Sequence, residues 1–130
     1  MNFYSLLIVG TGGFIGSVLR FVTTRFVQGS LSSTFPWGTL AVNVIGSLVI
    51  GFLYGLTLRD DMMNRNWQFF LVTGVCGGYT TFSAFAVENL SMINQKMIGS
   101  AVLYITITIG AGLLAVFVGA IIGKMLGSQS

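Results

Sequence analysis

The stretch GVCGGYTTFSAF, residues 74 to 85, gathers residue types able to handle ions in a chain otherwise poor in polar groups. Gly74, Gly77 and Gly78 permit an unwinding that frees main-chain carbonyl oxygens, and Thr80 and Thr81 add hydroxyls. Freed carbonyls coordinate hard cations, and helices broken at mid-membrane are a recurrent device for ion sites. Phe82 and Phe85 follow as an i, i+3 pair on one helix face. A phenyl ring is negative on its face and positive at its edge, so an anion can approach the edge without a charged partner. With eleven phenylalanines in the chain, lipid-facing or core packing is the usual explanation for such a pair.

Three further polar residues stand in apolar surroundings. Arg20 lies late in the first apolar run, Asn43 early in the second, and Glu88 near the end of the third. Asn43 can donate two hydrogen bonds and accept two, which serves an ion path or interhelical glue. An intramembrane polar residue costs free energy and is a functional candidate by default. The remaining inventory excludes much. There is no histidine, one cysteine (Cys76), and only three acids, Asp60, Asp61 and Glu88. His or Cys metal sites, the usual catalytic triads and an intrachain disulfide are therefore ruled out. The net charge of +3 comes from six scattered basic residues and does not point to nucleic acid.

The elements that must position these groups are membrane spans. Charged residues make up 7% of the chain against roughly 25% in soluble domains, and hydrophobic residues 54%. Four apolar stretches run from Tyr4 to Phe26, Trp37 to Leu58, Trp67 to Ile93 and Met97 to Met125. Each reaches the ~20 residues that cross a bilayer core. The 130 residues thus form one all-α integral membrane domain. Its connections are short: QGSLSSTFP offers Ser33 and Thr34 as N-caps and Pro36 for a first turn, RDDMMNRN joins spans two and three, and NQK forces an antiparallel hairpin. Gly77 follows Trp67 by ten residues, about 15 Å of helix, so Gly77 and Gly78 fall near the bilayer centre. A third helix broken there is the expectation; the alternative is a continuous helix with glycines for packing.

Small residues recur every four positions: Thr39, Asn43, Ser47, Gly51 and Gly55 in span two, Ala111, Ala115, Gly119, Gly123 and Gly127 in span four, Gly12 and Gly16 ahead of Arg20 in span one. Such stripes let helices approach closely within a membrane. Basic flanks are balanced, with Arg59, Arg65 and Lys124 towards one side and Arg25, Lys96 and the deeper Arg20 towards the other. Balanced flanks permit insertion both ways, and opposite copies can pair as an antiparallel, dual-topology homodimer.

The segments GGFIGSVLRF (12 to 21), GTLAVNVIGSLVIG (38 to 51) and GVCGGYTTFSAFAVE (74 to 88) closely resemble the signature segments of the Fluc/CrcB fluoride channels, in the same order and spacing. The resemblance implies passive, fluoride-selective export from the cytoplasm across the cell (inner or plasma) membrane, relieving fluoride toxicity. It implies two pores per antiparallel homodimer and a central structural sodium ion held by the main-chain carbonyls of Gly77 and Thr80. It places Asn43, Phe82, Ser83, Phe85, Tyr104 and Thr108 on the fluoride pathway, and Arg20, Thr39 and Glu88 in a vestibule or structural role. Departures from the family pattern are Ser17, Phe21 and Ala84, the last where a hydroxyl residue is common.

The nearest rival is a small four-helix multidrug exporter, which needs a buried carboxylate in its first helix; span one has none. A subunit that only packs partners would explain the glycine stripes but not a polar break. An intramembrane enzyme lacks a nucleophile and base.

Overall fold

The computed structural model describes residues 1–60 and 63–127, with Arg59 and Asp60 described as backbone only. Asp61 and Met62 of the expected RDDMMNRN connection lie outside the described residues. Among the described residues all regular structure is helical. Helix α1 spans Phe3–Ser30 and α2 spans Trp37–Asp60. The third span is composite: α3 (Arg65–Trp67), a π-helical stretch π1 (Gln68–Cys76), α4 (Gly77–Tyr79) and, after two extended residues, α5 (Phe82–Asn94). Helix α6, Ile98–Gly127, is the last described element. The four runs Phe3–Ser30, Trp37–Leu58, Arg65–Asn94 and Ile98–Gly127 are long and apolar enough to cross a membrane.

Helix ends follow from local polar side chains. Asn2 caps α1, its Oδ1 accepting from the Ser5 N–H at 2.8 Å. Ser33, expected to cap α2, instead accepts from the Phe35 N–H at 3.1 Å inside the loop, because it stands too far ahead of Trp37 to reach the first turn. The free N–H at that turn is met from α1: Gly38 N–H donates to Gln28 Oε1 at 3.1 Å, while Gln28 Nε2 donates to the carbonyls of Ser33 and Phe35. One glutamine therefore shapes the whole α1–α2 connection. At the other hairpin, Met97 N–H donates to Met92 C=O and Lys96 N–H to Ile93 C=O, with Lys96 at φ 61°. That is the usual helix stop, with lysine where glycine is commoner.

Packing runs through the small residues. Helix α2 lies along α6, and there the missing side chains let backbone touch backbone. A Cβ at Gly51 would strike the Val116 carbonyl, one at Gly55 the Ala120 carbonyl, one at Gly119 the Leu48 carbonyl and one at Gly123 the Phe52 carbonyl. Helix α1 meshes with π1 and α4 in the same way: Gly12 and Gly16 face the carbonyls of Phe70 and Val75, and the ideal Cβ of Gly74 would lie 2.9 Å from Gly12 Cα. Gly78 presses on the Gly13 carbonyl. Two small hydrophobic clusters close the ends, Leu40, Met92, Ala101 and Tyr104 at one and Leu53, Met63 and Cys76 at the other. Most other large apolar side chains, such as Phe14, Leu114 and Phe117, point outward as lipid-facing residues do.

The irregular backbone does not sit at the glycines. Gly77 and Gly78 are helical, and the extended residues are Thr80 (φ −85°, ψ 157°) and Thr81 (φ −149°, ψ 119°). Gly74 and Gly78 are instead consumed in the close approach to α1, a role that suits helical geometry.

The α2–α6 seam should be sensitive at its backbone contacts and nowhere else. Gly119→Leu is expected to lower the thermal midpoint in detergent by several degrees or to abolish folded protein, since overpacking costs at least about 1–3 kcal/mol. Gly110→Leu, where nothing lies within 4 Å, should melt like the parent.

Candidate functional site

The site is built where the third span stops being helical. Thr80 closes the first half: its N–H and its hydroxyl both donate to the Cys76 carbonyl at 3.0 Å. Thr81 opens the second half, its Oγ1 accepting from the Ala84 N–H at 3.2 Å as an N-cap. Between them the backbone is held from α2. Asn43 Oδ1 accepts from the Thr81 N–H at 2.8 Å, and Asn43 Nδ2 donates to the Thr81 carbonyl at 3.0 Å. An amide side chain offers the same donor–acceptor pair as a peptide, so Asn43 Oδ1 replaces the helical acceptor that the Thr81 N–H has lost, and its Nδ2 adds a second bond to the N-cap carbonyl. Gly46, one turn along α2, leaves room for the Thr80 methyl and the Tyr79 ring.

This latch has a consequence for the preceding carbonyls. In a continuous helix the Thr81 N–H would bond the Gly77 carbonyl, and the Ala84 N–H would bond the Thr80 carbonyl. Both donors are diverted, one to Asn43 and one to the Thr81 hydroxyl. The two carbonyls that sequence resemblance assigns to a cation are therefore among those released where α4 stops, together with those of Gly78 and Tyr79. Thr80 C=O receives only a long contact, 3.4 Å, from Arg20 Nη1. Gly77 is exposed and, unlike Gly74 and Gly78, presses on no neighbouring backbone. No three His, Cys, Asp or Glu side chains gather among the described residues, so a cation here would rely on main-chain oxygen.

Two grooves meet at Thr81. The first, about 530 Å³, lies between α2, α5 and α6 and is lined by Asn43, Thr81, Phe82, Phe85 and Thr108, among others. Phe82 and Phe85 stand with centroids 5.7 Å apart and planes at 45°. Phe85 is backed by Tyr104, at 5.1 Å, while Phe82 is 79% exposed. Thr108 Oγ1 is buried and has no hydrogen-bond partner. Its neighbour Thr106 bonds back to the Val102 carbonyl at 2.8 Å, the ordinary behaviour of a helical threonine. A buried hydroxyl without a partner is costly and calls for a ligand. Beyond Asn43's bond to Thr81, one amide N–H remains free for the same groove.

The second groove, about 640 Å³, opens between α1 and α5 and holds Arg20, Thr39, Ser83 and Glu88. Glu88 is the centre of a charge-assisted pair of bonds: Thr39 donates to Oε1 at 2.6 Å and Tyr104 to Oε2 at 2.7 Å. Tyr104 is wholly buried and joins the two grooves from behind, its ring on Phe85 and its hydroxyl on Glu88. The residues expected on one pathway thus divide. Asn43, Phe82, Phe85 and Thr108 share the first groove, Ser83 lies in the second with Arg20, Thr39 and Glu88, and Tyr104 lines neither.

Thr81 was singled out for its hydroxyl, but its part as latch partner and cap was not; a hydroxyl directly ahead of an apolar helical run was the available signal. One contributor escaped sequence reasoning altogether. Asn89 is buried and donates to the Phe85 carbonyl at 2.9 Å, supporting the turn that carries that ring. Its spacing of four from Phe85 is the only cue in the sequence.

Residues 7–120 match the family model described as CrcB-like protein, Camphor Resistance (CrcB). A Flavobacterium psychrophilum protein named fluoride-specific ion channel FluC is 40% identical over 122 residues, covering 94% of this chain and 98% of that one. A protein of the same name from Azobacteroides pseudotrichonymphae is 43% identical over 117 residues, 90% and 94% of the two chains. One from Rhizobium meliloti is 42% identical over 114 residues, 88% and 91%.

Asn43→Leu strands the Thr81 N–H, while the Thr81 C=O keeps the first helical bond of α5. One stranded group costs about 1–3 kcal/mol, so the thermal midpoint in detergent should fall by a few degrees. An unchanged midpoint would remove the latch.

Proposed function

The chain belongs to the CrcB-like family, and from that membership together with the first groove we propose that it is a fluoride-selective channel, exporting fluoride passively from the cytoplasm. It is a multi-pass membrane protein of a family of ion channels rather than enzymes. The observation that carries the reading is the stranded hydroxyl of Thr108, facing a groove that also holds Phe82, Phe85 and the Asn43 amide. No lysine or arginine lines that groove. Its donors are neutral, and this is what conduction requires. A small, strongly hydrated anion gives up water only if donors replace it, yet it must also leave. A full positive charge would hold it; hydroxyl, amide and ring edges replace water without trapping the ion. The groove around Arg20, Thr39, Ser83 and Glu88 serves as the vestibule that leads to it. Tyr104 acts through Phe85 and Glu88 rather than by touching the ion.

The working unit is an antiparallel homodimer with two pores. Extended backbone at mid-span is tolerated only when covered by protein or polar cavity. One protomer leaves Phe82 largely exposed and Gly77 uncovered beside the break, faces that a second copy would bury. Balanced basic flanks permit that copy to insert the opposite way.

The Gly77 and Thr80 carbonyls fit a sodium ion on the two-fold axis. Both have lost their helical donors, and a carbonyl has two lone pairs, so the long Arg20 contact does not use up Thr80. Bound there, the ion would supply positive charge that ties the two broken helices together. Arg20 supports the same carbonyl from α1.

Purified protein in liposomes tests the function. Fluoride efflux should far exceed chloride efflux; equal efflux of both, or of neither, would sink the reading. Phe82→Ile should abolish most flux with the dimer intact. Thr108→Val should lower flux by about ten- to a hundredfold, the worth of one hydrogen bond to an anion, and Thr108→Ser should largely restore it. Exchange of sodium for a large organic cation should lower the melting midpoint of the dimer.

A further inference from the structure

The first groove does not end at Thr108. One turn further along each wall stand Ser47, four residues after Asn43, and Gly112, four after Thr108. Gly112 is unlike the other glycines of the α2–α6 seam. Gly51, Gly55, Gly119 and Gly123 each lie against a backbone carbonyl that a Cβ would strike. A Cβ at Gly112 would meet only Ser47 Oγ, at 3.7 Å, an ordinary contact. Helix packing therefore does not require glycine at 112; an alanine would fit. What the missing side chain leaves open is the approach to the Ser47 hydroxyl.

That hydroxyl is also unspent. Thr11, Ser30 and Thr106 donate to the carbonyl four residues back, the usual resting place of a helical hydroxyl. Ser47 is half-buried, and no described residue bonds its Oγ. Beyond it Ile50 and Val116 line both this groove and the next, making an apolar collar. Ser47 is the last hydroxyl on this wall before the collar.

We propose that Ser47 and the notch opposite it at Gly112 form a second subsite for a small, partly dehydrated monovalent anion, and that the notch limits the size of what passes. The inference rests on the channel reading above. Asn43, Thr108 and the phenylalanine edges take the ion first, and Ser47 Oγ–H replaces a further water one turn on. Two stations a helical turn apart let an ion move by exchanging donors rather than by leaving one deep well.

The test compares Ser47→Ala, Ser47→Thr, Gly112→Ala and Gly110→Ala with the parent channel. Each is reconstituted in liposomes and assayed for efflux of fluoride, chloride and formate, with the thermal midpoint measured in detergent. Gly112→Ala should keep the parental midpoint, because its Cβ fits, and lose about tenfold in fluoride flux. Ser47→Ala should lose a similar factor, and Ser47→Thr, which keeps the hydroxyl and turns a methyl into the notch, should recover most fluoride flux while rejecting formate more strongly. Gly110→Ala should match the parent throughout. Parental flux and parental anion order in both Gly112→Ala and Ser47→Ala would overturn the subsite while leaving the channel intact. Absence of selective efflux in the parent would instead overturn the channel reading. Should Ser47→Ala fail to fold, Gly112→Ala decides alone.

Discussion

Two hydrogen bonds exchanged between the Asn43 amide and the backbone of Thr81 allow a helix to stop in the middle of an apolar span. In hydrocarbon each unpaired peptide group costs several kcal/mol, so an interruption survives only if something stands in for the missing helical partners. Asn43 does so for Thr81, and the Thr81 hydroxyl does so for Ala84. The same substitutions free the carbonyls of Gly77 and Thr80. Latch and released oxygens are thus two sides of one rearrangement, and the ring pair Phe82 and Phe85 begins directly after it because a new helix starts there.

The glycines divide the remaining work. Those at 12, 16, 74 and 78 seat the first half of the third span on α1, and those at 51, 55, 119 and 123 bring α2 and α6 into backbone contact. With α2 held on one side by α6 and on the other by the latch, Asn43 and Thr108 are brought to opposite walls of one groove. Gly77 and Gly112 take no part in this seating, and both border polar groups that have no partner of their own.

Thr81 separates two polar environments with different chemistry. On one side are neutral donors and ring edges; on the other are Arg20, which reaches the Thr80 carbonyl, and Glu88, which accepts from the Thr39 and Tyr104 hydroxyls. Buried Tyr104 couples the two, since its ring supports Phe85 while its hydroxyl holds Glu88.

Much of this was legible in the chain itself. Apolar runs of sufficient length dictate four membrane helices, because no other open structure satisfies the backbone in lipid. Four-residue spacing of small residues determines which faces meet, and the rarity of polar residues singles out Arg20, Asn43 and Glu88. Local order could not say where the third helix breaks. The glycines pointed to 77 and 78, but a glycine on a packed face stays helical, whereas Thr81 is extended because Asn43, 38 residues away, accepts its N–H. Nor could spacing separate Ser83 from Phe82, or Tyr104 from Thr108; groove membership depends on how α5 turns after its cap and on what lies behind it. The sequence by itself determined the helices and their contact faces, which follow from hydropathy and period. The tertiary structure alone decided which carbonyls are released and which hydroxyls face open space, because each depends on a partner from another helix.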